Sequence, residues 1–126
     1  MSLQQREIYV APSDIEGRGV FAAEDIAVGE IIEICPVVVL SKKDRKVVHE
    51  TVLHDYYFRW GRKQKKAAIV LGYGSIYNHS FRPNAVYLRN QEAMTLDVIC
   101  RKAIKAGDEI TFNYNGDPKD ESPLWF

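Results

Sequence analysis

The stretch Tyr77-Asn78-His79-Ser80-Phe81-Arg82-Pro83-Asn84 decides how the chain is read. Asn, His and Ser in a row, followed by Pro-Asn, cannot easily continue a helix or a strand. An irregular segment so rich in donors and acceptors must satisfy them on other backbone or on a ligand. Strand signals dominate on both sides of it. Residues 7–11 alternate, Val20-Phe21-Ala22 is a short apolar piece, and 30–40 is rich in β-branched residues but interrupted by Pro36. That interruption predicts two strands, or one with an edge bulge. Residues 41–50 predict a short helix capped by Ser41, with Asp44 at its third position. Residues 52–60 read as a strand, 61–66 as a basic turn and 67–71 as the returning strand. Residues 84–89 and 94–101 pair across Asn90-Gln91-Glu92, and 109–114 form the last strand. Many short strands with frequent turns predict a mainly β single domain.

Composition narrows the function classes. The chain has 126 residues, with 17 Lys+Arg against 17 Asp+Glu and a net charge of zero. That length fits one domain. At 46% hydrophobic and 27% charged it reads as an ordinary globular chain. No apolar run approaches the ~20 residues of a membrane span. No leader pattern is present, so an intracellular protein is expected, cytoplasmic in a bacterium or nuclear in a eukaryotic or viral setting. Cys35 and Cys100 lack CxxC spacing and read as buried, reduced thiols. Zero net charge argues against a dedicated nucleic-acid binder.

Several motifs have bland readings. Gly17-Arg18-Gly19-Val20-Phe21-Ala22 matches the dinucleotide fingerprint by letters. That fingerprint should open a long helix, whereas here a turn and a strand follow, so only a turn-forming glycine pair remains. Ser80 next to His79 cannot pass a proton as a triad does, and no nucleophile elbow occurs. His49, His54 and His79 lack ligand spacing, so no metal site is expected. Tyr114 ends a strand at a sheet rim, as a core aromatic or a functional phenol would. The basic run Arg59, Arg62, Lys63, Lys65 and Lys66 around Trp60 could meet phosphates and stack a base. A solvated hairpin tip is the plainer reading.

Order and spacing resolve these ambiguities. Gly-x-Gly near the start, Asn78-His79-Ser80-x-x-Pro83-Asn84 past the middle, and Glu109-Ile110-Thr111-Phe112-Asn113-Tyr114 near the end resemble the SET-domain protein lysine methyltransferases. The likeness runs over almost the whole chain and looks closest to the compact viral and bacterial members. It implies a SET-domain (β-clip) fold of several small sheets with a pseudoknot-like C-terminal threading. Residues 5–116 would be the SET domain and 117–126 a short tail.

The resemblance also implies roles. S-adenosylmethionine would be the methyl donor and S-adenosylhomocysteine the product. Gly17, Arg18, Gly19, Asn78 and His79 would hold the cofactor, together with Tyr114 and a closing aromatic, Trp125 or Phe126. Tyr114 would be the catalytic tyrosine, with Tyr56, Tyr87 and Phe112 as walls of the lysine channel. The partner would be a lysine-containing protein or peptide, with a histone as candidate; no membrane is expected, nucleic acid is disfavoured, and a homodimer follows by analogy.

Departures from the family pattern carry information. Glu33-Ile34-Cys35-Pro36 stands where many members have Tyr-x-Gly, and Tyr56 is the expected substitute. Asn113 replaces the usual Asp, a change expected to matter little. The post-SET cysteines are absent. Phe112 suggests room for more than one methyl, whereas Tyr87 suggests one; the two readings conflict. The rival from another class is a catalytically silent SET-like module that binds a basic peptide or forms an assembly.

Overall fold

The computed structural model describes residues 5–124. Two sheets make up the fold. The first has the order β1-β2-β9-β6, from β1 (Ile8–Pro12), β2 (Arg18–Ala22), β6 (Asn78–His79) and β9 (Glu109–Phe112). The second runs β4-β5-β3-β8-β7, from β3 (Ile31–Leu40), β4 (Phe58–Trp60), β5 (Lys66–Val70), β7 (Ala85–Asn90) and β8 (Thr95–Cys100). The predicted β-rich architecture of small sheets is what the chain adopts.

Pro36 sits inside one ten-residue strand rather than between two. β3 pairs with β8 from Ile31 to Pro36 and with β5 from Val37 to Leu40. A residue without an N–H is tolerated where the pairing partner changes, and its carbonyl still accepts from Leu71 N at 2.9 Å. The register irregularity falls at Ile31/Glu33 instead.

The expected strand over 52–60 is mostly something else. Thr51 accepts from Leu53 N and caps a 3₁₀ turn, Val52–Asp55, and only Phe58–Trp60 is extended. Val52 is 80% exposed, so its apolar character is not part of a strand face. The helix α1 (Lys42–Val48) forms where expected, with Ser41 Oγ accepting from Asp44 N. Cys35 and Cys100 are both buried and free.

The C-terminal strand meets the Asn-rich segment in the way that positions the site. β9 lies between β2, antiparallel, and β6, parallel. The Asn84 carboxamide grips it further, donating to Glu109 O at 2.8 Å and accepting from Thr111 N at 2.9 Å. Ser80 N donates to Phe112 O. Segment 78–84 therefore acts as a second, partly side-chain-built neighbour for β9, which buries Ile110, Thr111 and Phe112 beneath it. The core continues through Val20, Ile32, Leu96, Val98 and Ile104.

Candidate active site

A cleft of about 200 Å³ opens between the sheets. Tyr56, Tyr87 and Tyr114 line it, with Phe58, Tyr77 and Arg89. Tyr114 leaves the end of β9 and is held at three points. Its backbone N donates to His79 Nδ1 at 3.0 Å. Its carbonyl accepts from Tyr87 Oη at 3.0 Å. Its own hydroxyl donates to the Tyr77 carbonyl at 2.5 Å. Burial first, then the neighbouring Tyr56, Glu109 and Glu16, push the Tyr114 phenol up to about 12. It stays protonated near neutrality and serves as a hydroxyl donor, not as a base.

The cleft floor is a buried polar post. Tyr77 is 1% exposed and donates to Glu33 Oε1 at 2.8 Å. Burial, then that carboxylate, raises its phenol well above the usual tyrosine range. Glu33 Oε2 accepts from Tyr73 N at 3.0 Å. A Cβ on Gly72, which has φ +66°, would lie 2.4 Å from that same oxygen, so glycine is needed there on two counts.

Phe112 lies behind the cleft rather than in its wall. It is fully buried, with its ring centroid 5.0 Å from Tyr77 and 4.9 Å from Tyr87. Tyr87 is 4% exposed and spends its hydroxyl on the Tyr114 carbonyl. Tyr56, by contrast, stands 43% exposed at the mouth.

On the other side of Tyr114 lies a second cluster. Asn78 Nδ2 is within hydrogen-bond distance of Ser13 Oγ, the Glu16 and Arg18 carbonyls, and Glu109 Oε2, the last at 2.8 Å. Ser13 Oγ donates to Glu109 Oε1 at 2.6 Å. Gly17 takes φ +44°, and a Cβ on Gly19 would sit 2.2 Å from Glu109 Oε2. The glycine pair thus lets the loop close on Asn78 and Glu109. His79 accepts at Nδ1, so in the neutral ring Nε2 carries the hydrogen, and Nε2 is buried without a partner among the described residues. Burial lowers the His79 pKa, which favours that neutral form. A buried orphan donor beside a glycine cradle, with a carboxylate at hand, is a set of groups that fits a polar, partly cationic ligand.

Gly17, Arg18, Gly19, Asn78, His79 and Tyr114 therefore come together, and Tyr56 and Tyr87 share the cleft with Tyr114. Trp125 and Phe126 lie outside the described residues. Sequence reasoning gave no site role to Glu33, Tyr77 or Glu109. Glu109 opens the motif that ends at Tyr114, and that position was its one visible signal. Asn113, expected to matter little, is 1% exposed with both halves of its carboxamide bonded, donating to Asp120 O and accepting from Asn115 N. Among the described residues no cluster of His, Cys, Asp and Glu could hold a metal ion.

Comparison with known proteins shows the family of the chain. The SET domain model matches residues 17–115. The fission yeast (Schizosaccharomyces pombe) "Histone-lysine N-methyltransferase, H3 lysine-37 specific" is 32% identical over 118 residues, 93% of this chain and 75% of the relative. Human "Histone-lysine N-methyltransferase 2D" is 28% identical over 128 residues, 93% of this chain but 2% of that protein. A solved structure of a candidate histone methyltransferase from Plasmodium falciparum aligns with a TM-score of 0.68 at 33% identity, covering 88% of this chain and 94% of the other. An autoinhibited ctPRC2 structure bound to S-adenosylmethionine shares the fold, with a TM-score of 0.72 at 22% identity over 88% of this chain and 15% of the other.

Proposed function

From the premise that the chain belongs to the SET-domain family of protein-lysine methyltransferases, we propose that it moves a methyl group from S-adenosylmethionine to a histone lysine. The observation that carries the reading is the placement of Tyr114 between the two clusters. Its backbone N–H belongs to His79 on one side, and its hydroxyl belongs to the cleft on the other. In this reading residues 5–116 do the chemistry and the tail covers one edge.

When bound, the cofactor supplies an electrophilic methyl group on a sulfonium. Asn78, Glu109 and the 16–19 loop would hold its polar amino-acid end, and the His79 Nε2 donor, without a partner among the described residues, would be free to donate to it. The lysine enters the cleft between Tyr56, Tyr87 and Tyr114. Desolvation there disfavours its ammonium form, so the amine arrives neutral without a dedicated base. Alignment is the main catalytic contribution, and orientation of this kind is worth several kcal/mol. The Tyr114 hydroxyl and the Tyr77 carbonyl fix the narrow point through which amine and methyl meet.

Radiolabelled methyl transfer to histones, beside calorimetry with S-adenosylhomocysteine, tests the proposal. Label on a histone lysine and measurable product binding support it. Binding without transfer to any histone would leave the histone assignment wrong, and absence of binding would point to the silent module.

A further inference from the structure

Zero net charge conceals a division of charge along the chain. Residues 41–66 hold nine Lys+Arg against three Asp+Glu, whereas the remainder holds eight against fourteen. Four of those nine, Lys42, Arg45, Lys46 and Lys65, line a second recess, a hollow of about 510 Å³ between α1 and the β4–β5 hairpin. Lys42, Arg45, Lys46 and His49 follow one another at helical neighbour spacing and share its helix side, and Lys65 faces them from β5's approach. Lys42, Lys46 and Lys65 are exposed, and no carboxylate among the described residues is within ion-pair distance of them, although Glu50 stands at the rim.

The hollow is built rather than incidental. Arg45 donates to the Gln64 and Lys65 carbonyls at 3.1 and 3.2 Å and lies 5.6 Å over the buried Tyr57 ring. His49 Nδ1 meets Tyr57 Oη at 2.9 Å. These contacts fix α1 on the hairpin and hold the cations on one face. Neighbouring residues face opposite ways: Tyr56 and Gln64 line the candidate lysine cleft, while Tyr57 and Lys65 line the hollow. One thin wall therefore separates a basic surface from the place where the substrate enters.

A lysine-rich substrate would be repelled by such a surface. The surface suits instead a polyanion lying alongside that substrate. We propose that the hollow between α1 and the hairpin takes the phosphate backbone of duplex DNA on which the protein substrate is carried. The placement beside the substrate rests on the methyl-transfer reading, whereas the binding itself does not. Phosphate contacts of this sort position a protein without reading sequence.

The full chain is titrated against a short fluorescein-labelled duplex of arbitrary sequence, without cofactor, and anisotropy is read across a salt series. Four cations in the hollow give a slope of log affinity on log salt near about −3.6, an affinity loss of about 150-fold from 50 to 200 mM. Lys42→Glu, Lys46→Glu and Lys65→Glu together are expected to abolish binding while leaving transfer to a free peptide unchanged. Lys102→Glu, Lys105→Glu and Lys119→Glu together make the same change in net charge on exposed positions elsewhere, and are expected to retain most of the binding. Equal loss in both variants, tighter binding to single-stranded than to duplex nucleic acid, or binding only to phosphatidylserine vesicles would each overturn the proposal. Failure of methyl transfer with duplex binding intact would instead count against the catalytic reading.

Discussion

Tyr114→Phe separates catalysis from architecture because of how residue 114 is held. Of its hydrogen bonds within the described residues, two use main-chain atoms, N–H to His79 and C=O from Tyr87, and both survive the substitution. The ring keeps its contacts with His79 at 5.2 Å and Phe112 at 5.9 Å. Among the described residues, the hydroxyl bond to the Tyr77 carbonyl is what is lost. One neutral hydrogen bond is worth about 1 kcal/mol of stability, which lowers Tm by about 3–5 °C for a chain of this size. Product affinity, which depends on Asn78, Glu109 and the glycine loop, stays within about threefold.

The catalytic loss is much larger than the stability loss. A positioned donor removed from a desolvated site costs about 10²–10³ in turnover. Single-turnover transfer of a radiolabelled methyl group, with S-adenosylhomocysteine calorimetry on the same preparation, reads both quantities. A turnover within tenfold of wild type refutes the reasoning. So does a loss of product affinity as large as the loss of rate, since that would make Tyr114 a binding residue.

Four further outcomes follow. Glu33→Gln leaves one of the two donors, Tyr77 Oη or Tyr73 N, facing an amide NH₂; loss of a charge-assisted bond lowers unfolding stability by about 2 kcal/mol, measured by urea denaturation, and an unchanged midpoint would refute the buried-post account. Asn113→Asp sets a carboxylate against the Asp120 carbonyl that Asn113 now donates to, so limited proteolysis within 117–124 should accelerate severalfold while the remainder of the chain resists. For pH, His79 is lowered in the folded state by burial, so the unfolded chain takes up the proton first as pH falls. Its stability contribution is complete above about pH 6.5 and lost below; activity should fall on the same acid limb as the Tyr114 N–H bond opens. With the Tyr114 phenol at about 12, transfer should rise through pH 10 with lysine deprotonation, and a downturn near 10 in the pH–rate profile would show an ordinary tyrosine.

What was legible in the sequence and what was not divide along sequence distance. Asn78, His79 and Tyr114 sit in contiguous strings whose residue types make sense only together. The helix after Ser41 and the hairpin across Asn90-Gln91-Glu92 were equally local, because caps and turns are short-range chemistry. Glu33 and Tyr77 are 44 residues apart, and Ser13 and Glu109 are 96 apart. Nothing in Glu33-Ile34-Cys35-Pro36 reveals that the glutamate will be buried under a phenol. Val52 and Leu53 misled for the converse reason: they have strand-like composition, but Thr51 offers a side-chain acceptor that turns the backbone first. Net charge misled most simply, since a sum carries no position.

The three bonds at Tyr114 also explain why so small a chain can hold a site firmly. His79 comes from β6, Tyr87 from β7 and the Tyr77 carbonyl from the loop entering β6, while residue 114 itself follows β9. The main-chain donor, the main-chain acceptor and the phenol are each engaged with a different partner, so the backbone is held from two sides and the phenol cannot swing to another χ1 rotamer without breaking its bond to Tyr77. Those partners are in place only when the Asn84 grip has set β9 against segment 78–84. The ordering that alignment requires is therefore met during folding, before any lysine arrives, and a substrate meets a phenol already fixed. A site assembled from separate strands in this way is lost as a unit when β9 detaches, so local opening of the C-terminal strand and loss of Tyr114 order should occur together.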